Sequence, residues 1–212
     1  MRKEFHIEIC TLSLVERFSP QALDVIIAAN LKQDSLFGLV GHPHYHFDDS
    51  EFERSYAYLE KQRQIVGRVL SEYGKLDSAW KAFGRLTHAV QDFYAHSNYL
   101  ALWHDSFLGA APPLPEQVPA MDESLLTHPE LISGRVYIGE ALMFLLPPLA
   151  GWFKQRLPRD AHAWMNLDSP EQGPLFPYAM DAACQRTVYE YDLLAERIKQ
   201  ELGEDAWSRF TA

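Results

Sequence analysis

His88, Asp92 and His96 stand four residues apart within Thr87 to Asn98, which reads Thr-His-Ala-Val-Gln-Asp-Phe-Tyr-Ala-His-Ser-Asn. On a helix, steps of four project from one face and drift by only about 40° each. Two imidazoles and a carboxylate in one row are potential ligands for a divalent cation. Over eight residues the helix rises roughly 12 Å, too far for one ion to reach both histidines. Adjacent members can share an ion, so Asp92 is placed to bridge two. A single helical His is more often solvated or hydrogen-bonded in a core, and it is the three-residue row that points to metal chemistry. Gly84, one turn before His88, and Ala95 keep this side of the helix thin, leaving room for an ion or another backbone.

The elements that must position this row read as helices. Residues 5 to 18 fit strand alternation and helical spacing equally, and their neighbours favour helix. Ser19-Pro20 is a helix start, with Ala22, Leu23, Ile26, Ile27 and Leu31 as an apolar stripe lasting to about Gln33. Ser35 to Asp49 is a loop holding His42, His44 and His46. Ser50 with Glu53 reads as a capping box, opening a long helix that Gly74 ends as a left-handed stop. The row's helix begins near Asp77 and frays or bends near Ser97. Residues 107 to 134 read as a wrapping loop with a short helix near Met121 to Leu126. Helical periodicity resumes over Gly134 to Gln155 and breaks at Pro158. A loop then runs through His162 to Pro174, and Pro177 opens a final amphipathic helix to Leu202. With no convincing strand pair, these segments predict an all-α bundle, most simply one domain over residues 1–212.

Composition narrows the function. A net charge of -10 disfavours the broad basic footprint of a duplex nucleic-acid binder, although bound cations offset charge locally. Cys10 and Cys184 are too few for a disulfide framework and lack zinc-finger or redox spacing. The N-terminal residues contain no signal-like apolar run, which reads as a cytoplasmic chain. The apolar tract Ala141 to Phe153 is interrupted by Pro147 and Pro148 and falls short of the ~20 residues a spanning helix needs. It reads as a core helix first and a membrane-contact element second. No Glu lies three residues before any His, and there is no His-Glu-x-x-His, phosphate loop or Gly-x-Ser-x-Gly elbow. What remains is a set of His and Asp without thiolates, which suits a catalytic zinc site better than a structural one.

In order, His6, the stretch Asn30 to Asp34, His46-Phe47-Asp48, the row His88 to Asn98, and His162-Ala-Trp-Met-Asn-Leu-Asp168 give the chain a recognisable pattern. It resembles the zinc-dependent phospholipase C and single-strand nuclease superfamily, in particular its Het-C-like members. The resemblance implies a compact helical bundle of the phospholipase C type and two or three zinc ions. It implies one ion among Asp34, His46, His88 and Asp92, and a second on His6 with Asp92 as the bridge. A third would face His96, with His162 as its partner, or Asp168 in the looser part of the pattern. It further implies hydrolysis of phosphoesters, a phospholipid headgroup or a nucleotide, by metal-activated water that Asp34 or Asp92 steers. Residues Phe107 to Leu114 would cover the substrate. The secreted members use the amino group of a mature N-terminal Trp as a ligand. Here the first residue is Met1 and no processing signal is evident, an expectation that leaves one site a ligand short.

The other residues have plainer readings. His6 could be an ordinary surface residue, His42 and His44 loop-packing residues, and His128 structural. Ser97 and Asn98 are placed to hydrogen-bond ligands and fix their orientation. His104-Asp105 is a rival signal, resembling the HD-type metal phosphohydrolases. A third alternative is a catalytically silent, toxin-associated or interaction module that keeps a structural ion.

Overall fold

The computed structural model describes residues 1–35, 38, 41–109, 111–137, 139–140, 143 and 146–212. The α-helices it bounds include α1 (Lys3–Leu14), α2 (Pro20–Leu31), α3 (Phe52–Ser71), α4 (Leu76–His96), α5 (Tyr99–Asp105), α6 (Glu123–Leu126), α7 (Ala150–Lys154), α8 (His162–Met165), α9 (Phe176–Leu202) and α10 (Glu204–Thr211). Among the described residues there is no strand, only isolated bridges between Ser97 and Ser133 and between Arg135 and Ala161. No described helix is long and apolar enough to cross a membrane.

The helix carrying the row is the axis of the bundle. α4 packs against α2, α3 and α9, while α1 lies across α9 and α2. Every residue of α4 from Leu86 to His96 is buried. A helix enclosed on all sides is normally apolar throughout, so Thr87, His88, Gln91, Asp92 and His96 need partners inside the protein. Around them Leu86, Phe83, Leu59, Ile26 and Leu14 are fully enclosed, each worth about 1.5–3 kcal/mol of burial. α10 closes one end, where Trp80 Nε1 donates to the Phe210 carbonyl at 2.7 Å.

Helix α1 resolves the ambiguous first stretch. His6, Ile9, Cys10, Ser13 and Leu14 form its buried face, a spacing of three and four that only a helix can turn to one side. Ser19 caps α2 by accepting from the Ala22 amide at 3.3 Å. Gly84 sits where α2 and α4 approach most closely: a Cβ there would lie 2.2 Å from the Ile26 carbonyl oxygen. The thin side of α4 at this level therefore admits another backbone, and not an ion.

Three local expectations are corrected. Ser50 does not cap α3, whose N-cap is Glu51 without a side-chain bond. Ser50 instead exchanges hydrogen bonds with Ser133, each backbone amide donating to the other's hydroxyl at 2.9 and 3.0 Å. At the other end of α3 the left-handed residue is Tyr73, at φ 50°, one position before Gly74. The Gly74 amide still returns to the Val69 carbonyl at 2.8 Å. The helix expected from Gly134 starts later, because 133–135 runs extended between two neighbours, with Gly134 N–H donating to the His96 carbonyl and His162 N–H to the Arg135 carbonyl; Gly139, Glu140, Met143 and Ala150–Lys154 are helical. Residues 36, 37, 39 and 40 of the histidine loop, 110 of the wrapping loop, 138 ahead of the apolar tract, and 141, 142, 144 and 145 within it lie outside the described residues.

Candidate metal centre

The row itself is supplied by α4, and its partners arrive from four other places. Asp34 ends the 3-10 turn Lys32–Asp34 that follows α2, and His46 follows the turn Pro43–Tyr45. Just after His46 the chain takes positive φ at Phe47 (54°), Asp49 (57°) and Ser50 (55°). Each such residue costs on the order of 1–3 kcal/mol and persists only where its surroundings enforce it. Here Phe47 is buried against Phe93 and Tyr56, and Asp49 is tied to Gly134 and Val136. The result of the contortion is that His46 and Asp48 both reach the row, at different levels.

At the first level, His46 Nδ1 and His88 Nε2 lie 3.0 Å apart and each 2.9 Å from Asp92 Oδ2. Asp34 Oδ1 stands 3.9 Å from His46 Nδ1 and 3.6 Å from His88 Nε2. A tetrahedral shell with bonds of about 2.0–2.2 Å has ligand-to-ligand edges of about 3.3–3.6 Å. The spacings among Asp34, His46, His88 and Asp92, whose ligand atoms all lie within 4.8 Å of one another, bracket that value.

At the second level the other carboxylate oxygen takes over. Asp92 Oδ1 is 3.3 Å from His6 Nε2 and 2.7 Å from the Met1 α-amino nitrogen. That nitrogen is wholly buried, 2.9 Å from Asp168 Oδ1 and 3.3 Å from His96 Nε2. The amino group thus lies inside the cluster, where the sequence reading expected a ligand to be missing. His96 presents its other ring nitrogen to a third level, with Nδ1 3.1 Å from Asp48 Oδ1 and His162 packed edge-on at 4.5 Å between ring centroids. Asp168 meets His96 Nε2 at 3.1 Å, and Asp48, His96 and His162 offer ligand atoms within 4.8 Å of one another. Glu140 stands 3.7 Å behind His162 Nδ1.

Hydrogen-bond partners decide where the protons are. Gln91 Nε2 donates to Thr187 Oγ1 at 3.2 Å and to Cys10 Sγ at 3.4 Å, which turns Oε1 toward His6 Nδ1 at 2.7 Å. His6 must then carry its proton on Nδ1, leaving the Nε2 lone pair facing Asp92. Asn30 likewise donates through Nδ2 to Thr87 and Gln91, and offers Oδ1 to His88 Nδ1 at 3.4 Å. His88 Nε2 is thereby left bare toward the carboxylate. Bare imidazole nitrogens pointing at a carboxylate call for a cation between them. Among the described residues, His6 Nε2 and Asp48 Oδ1 are buried without a hydrogen-bond partner, the Nδ1 of His96 beside Asp48 being bonded to the His46 carbonyl at 3.1 Å. The residues fit divalent ions in a nitrogen and oxygen donor set.

Charge inside the cluster follows the same pattern. Burial opposes ionisation of Asp92, but the Met1 ammonium and the charged His96 outweigh it and hold the carboxyl well below its usual range. Burial also works against the Met1 ammonium, yet Asp92 and Asp168 push its pKa up to about 11. His96 is likewise raised well above normal, against burial, by Asp92 and Asp48. His88 is driven down by burial and stays neutral. Asp34 is raised, by burial and by the charge on Asp92.

The structure therefore brings His6, Asp34, His46, His88, Asp92, His96 and His162 into one linked cluster. Asp48, Gln91, Asn30 and the Met1 amine were not singled out as members from sequence. Asp48 had a signal, being two residues beyond His46. Asn30 opened one stretch of the pattern without a role of its own, and Gln91 had no signal, since the part of each depends on which helices pack together. Of the candidates with plainer readings, His104 and Asp105 are exposed on α5, 3.5 Å apart, and no third ligand joins them among the described residues. Leu108 and Leu114 are exposed, while Pro113 accepts from the Tyr178 hydroxyl and Phe107 packs on Trp103, so the described residues of this loop lie against α5 and α9.

A profile of the VWA7 N-terminal domain family matches residues 6–109. That span holds His6, Asp34, His46, Asp48 and the whole of α4, and stops short of His162 and Asp168. No curated protein and no solved structure matches the chain.

Proposed function

We propose that this protein is a metal-dependent phosphoesterase of the phospholipase C-like type, acting through a multi-metal His/Asp site with zinc as the expected ion. The observation that carries the reading is the division of Asp92: Oδ2 belongs to the His46–His88–Asp34 group and Oδ1 to the His6–Met1 group. One carboxylate facing two donor sets would let His46, His88 and Asp34 hold one cation and His6 another. Paired ions at such a site polarise phosphoryl oxygens and make a water nucleophilic near neutral pH.

The chain's own residues divide the remaining work. Asp92, with no exposed surface, holds charge and does not exchange protons with solvent. Asp34 is 22% exposed at the margin of the cluster and is the carboxylate able to orient a water and accept its proton. Asn30 and Gln91 keep His88 and His6 in the tautomers that leave Nε2 free. His162 and Asp168, at 21% and 26% exposure, mark the other edge from which a phosphoester can reach the cluster. The substrate proposed is the phosphodiester of a phospholipid headgroup or of a nucleotide.

The test is elemental analysis of protein dialysed against zinc, together with hydrolysis of bis(p-nitrophenyl) phosphate by the wild type and by Asp92→Asn. Two or more equivalents of metal and turnover lost in the variant are expected. Protein that retains no metal would end this reading. Metal without turnover on phosphocholine, nucleotide and single-stranded nucleic-acid substrates would replace it with a helical module holding structural ions.

A further inference from the structure

A surface outside the metal cluster carries a separate reading. Of the chain's five tryptophans, Trp80, Trp103 and Trp207 are buried in the core, while Trp152 and Trp164 are 50% and 36% exposed. They lie within residues 146–164, where Leu146 and Leu149 are 46% and 49% exposed. Cations cover both indoles. The Arg156 guanidinium lies 3.5 Å over the Trp152 ring, and Lys154 and Arg159 approach Trp164 to 4.7 and 4.6 Å. These contacts join α7, the turn after it and α8 into one patch.

The charge of this patch runs against that of the molecule. Residues 146–164 hold Lys154, Arg156 and Arg159 against a single acid, Asp160, in a chain whose net charge is -10. Asp160 is turned inward, accepting from the Tyr137 hydroxyl at 3.0 Å. Isolated exposed apolar residues need no explanation, but a run of leucine and tryptophan rimmed by cations is the composition of an element lying at a lipid–water interface. There the indole sits at headgroup level, the aliphatic side chains enter the acyl boundary, and Lys and Arg meet lipid phosphate. A purely electrostatic partner such as single-stranded nucleic acid would leave Leu146 and Leu149 in water.

We propose that residues 146–164 form a docking surface for bilayers containing anionic phospholipid. Docking through this patch turns the edge bearing His162, two residues before Trp164, toward the membrane. The inference does not rest on the phosphoesterase reading, because vesicle binding is measured without turnover and in the Asp92→Asn variant as well.

The experiment is sedimentation of the full chain with vesicles of phosphatidylcholine mixed with phosphatidylglycerol, and with vesicles of phosphatidylcholine alone. Binding to the mixed vesicles, weakened by salt and accompanied by a blue shift of tryptophan emission, is expected. The double variant Lys154→Gln/Arg156→Gln removes one half-buried and one exposed charge and should partition about 30-fold more weakly, at roughly fivefold per basic residue. Trp152→Phe, also on the surface, should reduce the blue shift while the fold measured by circular dichroism is unchanged. No sedimentation with the mixed vesicles, equal binding to both compositions, binding unaffected by the double variant, or retention only on single-stranded DNA would each overturn the proposal.

Discussion

Gln91 Oε1 and His6 Nδ1 are 2.7 Å apart, both fully buried, on helices α4 and α1. Because the Gln91 amide is itself fixed by Thr187 and Cys10, the contact sets the tautomer of His6 and aims its free nitrogen at Asp92. Partners of this kind typically matter to metal affinity by 10–100-fold, a range we apply as a rough guide. Gln91→Leu should therefore lower zinc affinity by about 10–100-fold while leaving His6 in place. Competition against a chromophoric chelator measures it; affinity equal to wild type would remove Gln91 from any positioning role.

Asp92 is the partner of the buried Met1 ammonium as well as of four histidines, His6, His46, His88 and His96. In metal-free protein, replacing it by Asn leaves a buried cation with one carboxylate fewer. Breaking a buried pair in this way costs about 3–5 kcal/mol. Chelator-treated Asp92→Asn should show a clearly lower urea midpoint than chelator-treated wild type. Zinc should restore little of the difference, since the bridge between the two donor groups is gone.

How far the site could be read in advance depended on what kind of spacing each part uses. The row on α4 was visible because helical periodicity alone puts His88, Asp92 and His96 on one face. The bundle was visible for the same reason, in the stripe of α2 and in Pro177 opening α9. His46 and His162 could be nominated by residue type but not placed, since nothing local states that 133–135 will run extended between His96 and His162. The capping role read for Ser50 failed because a hydroxyl that could cap α3 found a better partner in Ser133, 83 residues away. The Met1 amine was weighed and set aside because the resemblance calls for a processed N-terminal Trp, whereas its burial beside Asp92 depends on α1 packing across α9 and α2.

Gly134 has its backbone against His162, where a Cβ would lie 2.7 Å from the His162 Cα. The contact is backbone to backbone, so no side chain can swing away to accommodate a methyl group. Gly134→Ala should push α8 off the row and separate His162 from His96, with an overpacking cost of roughly 1–3 kcal/mol. Loss of one metal equivalent with the others retained is the expected result. Gly84→Ala, whose Cβ would clash with α2 at Ile26, should by contrast destabilise the whole bundle. Thermal melts with metal analysis of both variants separate a local effect from a global one.

The pH dependence of metal-free protein follows from the Met1 ammonium, whose pKa is raised from 8.0 to about 11 by Asp92 and Asp168 against the effect of burial. A cationic group with a raised pKa in the folded state contributes its full stabilisation below the unfolded value. That contribution is lost as pH climbs from 8.0 through about 11. Chelator-treated chain beginning at Met1 should therefore unfold at falling urea concentration across this window. A chain with residues added ahead of Met1 has an amide in place of the ammonium, starts from a lower midpoint at neutral pH, and should show a flatter profile over the same range. Metal binding reverses the order of events: cations entering beside Asp92 displace the protons that Met1 and His96 hold in their absence, so zinc uptake should release protons into the buffer. Calorimetric titration in two buffers of different ionisation enthalpy counts them, and zinc binding with no proton release would contradict the charge arrangement described for the cluster.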